Sequence, residues 1–195
     1  MPRRCPLSII LASASPRRKQ LLAQAGYKFK VVVPDIDESA FPAERGKSVE
    51  YTKQLALAKA RSIAAKFPDH LVIGADTVVD FKGQIIGKPA DAKDAERITR
   101  RLFSSPHKVI TAVAIVRLSD GIEIVESDTT TVYPRKMTER QITEHIRGGS
   151  WKDKAGAYAI QETGDRFVER IKGSLTNVMG FPMELVLRML EKVAG

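Results

Sequence analysis

The sequence predicts an α/β protein, and three observations carry that expectation. Residues 7–11 form an apolar run too short for a helix, which reads as a buried strand. A helix-start signal follows at once, with Ser15 at the N-cap and Pro16 at the first helical position, where its missing N–H costs nothing. Long runs rich in Val, Ile and Thr, at 71–81, 107–118 and 122–133, then alternate with amphipathic segments at 48–67, 91–103 and 138–147.

The first helix runs to Gly26, a suitable C-terminal glycine. Arg17, Arg18 and Lys19 stand in its first turn, where the macrodipole prefers anions. Their placement is explained either by a bound anion, with Ser13 and Ser15 beside it, or by a basic surface face turned to water. Residues 28–33 read as a second strand ended by Pro34. The polar stretch 35–46 carries Asp35, Asp37 and Glu38, acids that either are solvated or hold a metal.

Residues 48–67 form a long helix with Ser48 as its expected cap and Val49, Ala56, Ala60, Ile63 and Phe67 on one stripe. Lys59 lies beside that stripe. Periodicity favours a snorkelling ammonium over one that enters a cleft. In the strand 71–81, Asp76 interrupts an apolar run. A buried unpaired carboxylate is costly, so it is expected to meet a cation, a metal or a donor network. Gly74 and Ala75 leave room beside it for a ligand. Lys82-Gly83 turns the chain into a short strand at 84–86, and Lys88 follows near the same sheet edge.

Asp91 caps the next helix. Ser119-Asp120-Gly121 joins the two long strands, and Thr138 with Gln141 forms a capping box. Residues 158–161 and 167–171 read as strands, 173–177 as a loop, and Pro182 opens a terminal amphipathic helix.

Composition bounds the function. The 195 residues are 43% hydrophobic and 28% charged, as in a soluble globular chain, and no run approaches the length of a membrane span. No signal peptide is evident, and the single cysteine, Cys5, excludes an internal disulfide, so a cytoplasmic protein is expected. The net charge of +9 suits a polyanionic partner. Nucleic acid is the obvious candidate, but the basic residues are interspersed with acids rather than blocked and no nucleic-acid-binding signature appears, so a small polyanion explains the surplus as well; the buried acid expected at Asp76 argues against a nucleic-acid groove.

Taken in order, Leu11-Ala-Ser-Ala-Ser-Pro-Arg-Arg18, Asp37-Glu38, Leu57-Ala-Lys-Ala60, Gly74-Ala-Asp-Thr77, Gly87-Lys-Pro89, Asp153-Lys-Ala-Gly-Ala-Tyr-Ala-Ile-Gln161 and Gly173-Ser with Asn177-Val178 resemble the Maf family of nucleoside triphosphate pyrophosphatases. The resemblance spans nearly the whole chain, treated as one domain over residues 1–195. It implies an elongated mixed sheet flanked by helices, of the inosine-triphosphatase (Maf/Ham1) type, with a cleft between two lobes. It implies hydrolysis of a nucleoside triphosphate to monophosphate and pyrophosphate with a divalent metal, Mg²⁺ or Mn²⁺.

By the same resemblance Asp76 is the proton acceptor and, with Glu38, a metal ligand. Ser13, Arg17, Arg18, Lys59 and Lys88 face phosphate, and Arg17, Thr77 and Gln161 bear on base choice. The Ala-Tyr-x-Ile-Gln pattern is similar to the branch acting on dTTP and UTP. Glu162, Leu175 and Ser105 depart from common family residues. A 7-methyl-GTP specificity and a nucleotide-sensing regulator of cell division stay open as alternatives, and a homodimer is compatible with the sequence.

Overall fold

A computed structural model describes residues 8–152, 154–158, 160 and 167–194. Seven strands form one mixed sheet: β1 (Ile9–Ala12), β2 (Phe29–Val31), β3 (Leu71–Phe81), β4 (Gln84–Ile86), β5 (His107–Arg117), β6 (Ile122–Pro134) and β7 (Val168–Lys172). Their order is β2-β1-β3-β5-β6-β7, with β4 paired to β3. Flanking them are α1 (Pro16–Gln24), α2 (Ser48–Ala64), α3 (Ala92–Leu102), α4 (Glu139–Gly148), α5 (Leu175–Val178) and α6 (Met183–Ala194). β2, β1 and β3 run parallel because helices α1 and α2 carry the chain back between them, whereas the pairs β3–β5, β5–β6 and β6–β7 are antiparallel.

Period-two alternation divides the core. Ile73, Ala75, Val113 and Ile115 pack on one face against α1 and α6. Val72, Ala112 and Ala114 pack on the other against Ala56, Ala60 and Ile63 of α2. Further along the first face, Val79, Val109 and Val132 join residues of α3 and α4 in a second core. A polar seam lies between the two cores of that face. The fully buried Asn177 donates from Nδ2 to the Val109 carbonyl (3.0 Å) and Thr130 Oγ1 (2.9 Å), while Thr111 Oγ1 donates to the Asn177 carbonyl (3.0 Å).

Local signals set several boundaries. Ser15 caps α1 and Asp91 caps α3. Both halves of the Thr138/Gln141 capping box form at α4, which ends on the left-handed Gly149. Lys82 and Gly83 both take positive φ in the β3–β4 hairpin, as a two-residue turn of that hand requires.

Other expectations change. Ser48 is not a cap. It lies inside α2, and its hydroxyl donates to the Asp80 carboxylate, which also accepts from the Gly83 N–H at 2.9 Å. Residues 173–177 are not merely a loop, because the Ser174 side chain accepts from the Asn177 N–H and starts α5. Tyr158 is extended, yet it joins no strand pairing among the described residues. A tight turn at Ala155–Ala157, with Gly156 at φ 75°, turns it into the second core instead. Gln161 lies outside the described residues.

His107 begins β5 in that second core, with Nε2 at 2.8 Å from the Tyr158 hydroxyl. Burial lowers its imidazole to about 4, against an ordinary value of 6.5. The unfolded chain therefore binds more protons between those limits. This stabilising contribution is complete above the unfolded value and is lost as pH falls towards the folded one. Denaturation measured from neutral to acidic pH is expected to show a wild-type minus His107→Gln difference with a slope approaching about 1.4 kcal/mol per pH unit in that window.

Candidate active site

The sheet has a gap along one edge of β3. β5 covers the other edge throughout. On the gap side β1 pairs only as far as Ala12 opposite Gly74, and β4 takes over only where Val79 meets Ile86. Residues 75–78 thus have no strand beside them there. The chain leaving β1 and the chain leaving β4 both run into this break, and a cavity of about 1070 Å³ opens over it. The volume suits a small-molecule site.

Asp76 stands in the gap, 8% exposed. Its Oδ1 accepts from Lys59 Nζ at 2.6 Å, and the same ammonium lies 2.7 Å from Glu38 Oε1. Lys59 therefore does not snorkel to water; it joins two carboxylates brought from a strand and a one-turn helix. The approach is permitted by Gly74. A Cβ built there would lie 2.5 Å from the Ala56 carbonyl oxygen and 2.7 Å from the Ala60 nitrogen. The space beside Asp76 that sequence assigns to a ligand is, at Gly74, occupied by the backbone of α2.

Two of the three acids of the 35–38 stretch, Asp37 and Glu38, take different roles. Asp37 accepts from the Ser39 hydroxyl (2.6 Å) and N–H (2.9 Å), which hold its carboxyl below the ordinary range and cap a one-turn helix. Glu38, next along, reaches Lys59.

Arg17 and Arg18 also separate. Arg18 is bound by the protein: Nε donates to the Gly180 carbonyl (2.8 Å), Nη1 to the Ala75 carbonyl (2.8 Å) and Ser13 Oγ (3.4 Å), and Nη2 to Thr77 Oγ1 (3.0 Å). Burial lowers its guanidinium from the ordinary value, opposed by the charge of Asp76. These bonds consume most of its donors, so Arg18 organises the floor rather than offering an open phosphate grip. Thr77 belongs to the same floor, 3.0 Å from Thr111 Oγ1. Arg17 lines the cavity with a buried Nε that has no hydrogen-bond partner, a donor suited to an anionic ligand. Ser13 Oγ accepts from the Ser15 N–H at 3.1 Å and so shapes the turn as well as lining the cavity.

Lys88, exposed at the rim, enters from the end of β4. The structure thus brings Ser13, Arg17, Arg18, Lys59, Asp76, Thr77, Lys88 and Glu38 around one cavity. Sequence reasoning missed three others. Lys152 and Lys154 come from the segment after α4. Tyr51 stands on α2 with Leu55 and Lys59, all lining the cavity at i, i+4 and i+8; that spacing was the signal for it. Burial, with the charges of Asp76 and Glu38, raises the Tyr51 phenol and keeps it a neutral donor.

Six cationic residues and two carboxylates therefore line the cavity. The cavity's charge suits a polyanion more than a neutral ligand. Among the described residues there is no cluster of three or more His, Cys, Asp or Glu able to cage a metal. Two carboxylates do fit a hard cation that takes its other ligands from phosphate oxygens and water, as Mg²⁺ commonly does.

Comparison with known proteins places the chain in a family. The family model described as "Maf-like protein" matches residues 8–193. A protein of Citrifermentans bemidjiense named dTTP/UTP pyrophosphatase is 44% identical over 188 residues, 96% of each chain. One of the same name from Bdellovibrio bacteriovorus is 41% identical over 193 residues, covering 95% of this chain and 98% of its own. A solved HAM1 protein from Coxiella burnetii superposes with a TM-score of 0.48 at 17% identity, covering 67% of this chain and 74% of that one, a likeness too loose to argue from.

Proposed function

Because this chain belongs to the family of Maf-like proteins, we propose that it is a nucleoside triphosphate pyrophosphatase that converts dTTP and UTP to the nucleoside monophosphate and pyrophosphate. The observation that carries the reading is the Lys59 ammonium between Asp76 and Glu38 in a cavity whose other charged lining residues are all cationic. Products of this kind require cleavage between the α- and β-phosphorus by water.

Such a site must neutralise about four negative charges and aim one water. Arg17, Lys59 and Lys88 meet the phosphate oxygens. Arg18 keeps Ala75, Thr77 and Gly180 in register beneath them. Asp76 orients the attacking water and accepts its proton. A divalent ion, Mg²⁺ or Mn²⁺, would be held by Asp76 and Glu38 and would supply Lewis-acid neutralisation of the phosphates when bound. Thr77 and Arg17, with Gln161, bear on base choice.

No helix among the described residues is long and apolar enough to cross a membrane, and the single cysteine agrees with work in the cytoplasm. The test is a panel of nucleoside triphosphates, including 7-methyl-GTP, incubated with and without Mg²⁺ or Mn²⁺, with every product identified. Pyrophosphate and monophosphate, formed fastest from dTTP and UTP and only with metal, are expected. Orthophosphate and diphosphate would refute the reaction; 7-methyl-GTP as the fastest substrate would refute the specificity.

A further inference from the structure

We propose that Lys59 couples divalent-metal binding to triphosphate binding by exchanging one set of anionic partners for another, an inference that rests on the reaction proposed above. Lys59 Nζ lies 2.6 Å from Asp76 Oδ1 and 2.7 Å from Glu38 Oε1. These are the carboxylates that would hold the ion. An ammonium and a divalent cation repel each other and compete for the same oxygen lone pairs. The ion therefore gains both carboxylates only as the ammonium turns away.

The geometry tells where it turns. The Lys59 and Asp76 side chains are 12% and 11% exposed, so an ammonium leaving Asp76 does not simply pass into bulk water. It needs another anion within the cavity, and a phosphate oxygen supplies one. Its backbone does not have to move. α2 is seated on Gly74 through Ala56 and Ala60, while the four-carbon stem of Lys59 is flexible. Glu38 stands on a one-turn helix at the cavity mouth, 54% exposed, and is the looser of the two carboxylates. Each ligand thus removes the obstacle to the other. Metal releases Lys59 to the phosphates, and phosphates draw Lys59 from the metal's oxygens. The coupling is reciprocal.

The exchange predicts effects of opposite sign from one substitution. In nucleotide-free calorimetric titrations with Mn²⁺, Lys59→Met is expected to bind the ion about ten-fold or more tightly than wild type, the ordinary scale of a coupling between two sites. Lys59→Arg keeps the competing charge and should stay close to wild type. In EDTA, with a non-hydrolysable dTTP analogue as titrant, Lys59→Met should bind more weakly by a similar factor. A lysine that only supported the fold would weaken both. Mn²⁺ binding by folded Lys59→Met that is equal to or weaker than wild type overturns the exchange. Thermal melting checks each variant, and Lys59→Gln replaces Lys59→Met if the latter does not fold. Pyrophosphate release by wild type, measured on the same preparation, separately decides the reaction. A wild type that hydrolyses no triphosphate defeats the proposed function, whereas the Mn²⁺ contrast alone decides whether Lys59 opposes the metal.

Discussion

Asp76→Asn is expected to lower turnover by roughly 10²–10³ while leaving the chain folded. The amide keeps the shape of the carboxylate but loses its charge and its capacity to take a proton. It also leaves Lys59 with one formal counter-charge, on the more exposed Glu38. Steady-state pyrophosphate release reads the first effect, and thermal melting shows whether the fold survives. Near-full turnover from a folded Asp76→Asn protein would remove Asp76 from the chemistry. Because Asp76 is proposed both to ligate the ion and to accept the proton, added Mn²⁺ is expected to restore only part of the loss. Full recovery at high Mn²⁺ would leave ligation as its sole role.

The second large effect is on stability. Gly74→Ala is expected to cost about 3 kcal/mol, at the upper end of what overpacking brings. The added carbon would meet a carbonyl oxygen at 2.5 Å and an amide nitrogen at 2.7 Å. Both are backbone atoms of a helix, so no side chain can turn aside. The transition midpoint should fall by roughly 6–12 °C for a chain of this length. If α2 instead lifts from the sheet, Lys59 moves away from Asp76 and activity falls in the surviving folded fraction. An unchanged melting temperature would contradict the close approach of α2 to β3.

The elements with strong local signals were legible in the sequence. The β3–β4 hairpin needs two residues at positive φ and has Lys82-Gly83; α4 has its full capping box; β3 and β5 announce themselves through β-branched runs. The site was legible only in part. Asp76 stood out because a carboxylate in an apolar strand demands a partner, but nothing local named Lys59, and helical periodicity favoured a solvated ammonium. The pairing depends on β3 lying beneath α2, a long-range fact. In the sequence Arg18 looks like an open cation because its acceptors include the carbonyls of Ala75 and Gly180, and backbone acceptors leave no trace in residue identity. Ser48 reads as a cap for a different reason: its partner is a side chain, the Asp80 carboxylate, but one thirty-two positions away, so no local pattern announces it.

Asp76 and Thr77 are adjacent in the chain yet point to opposite faces of the sheet, one towards α2 and the other towards Arg18 and Gly180. Reactive charge and recess contour are thereby assigned to separate layers of the molecule. With Thr77 proposed to bear on base choice, substitutions in its layer are expected to alter which nucleotide is accepted while Lys59 and Asp76, paired on the opposite face, keep their contact. On the proposed reaction, the pleat gives this protein a division of labour along which selectivity can drift while hydrolysis is preserved.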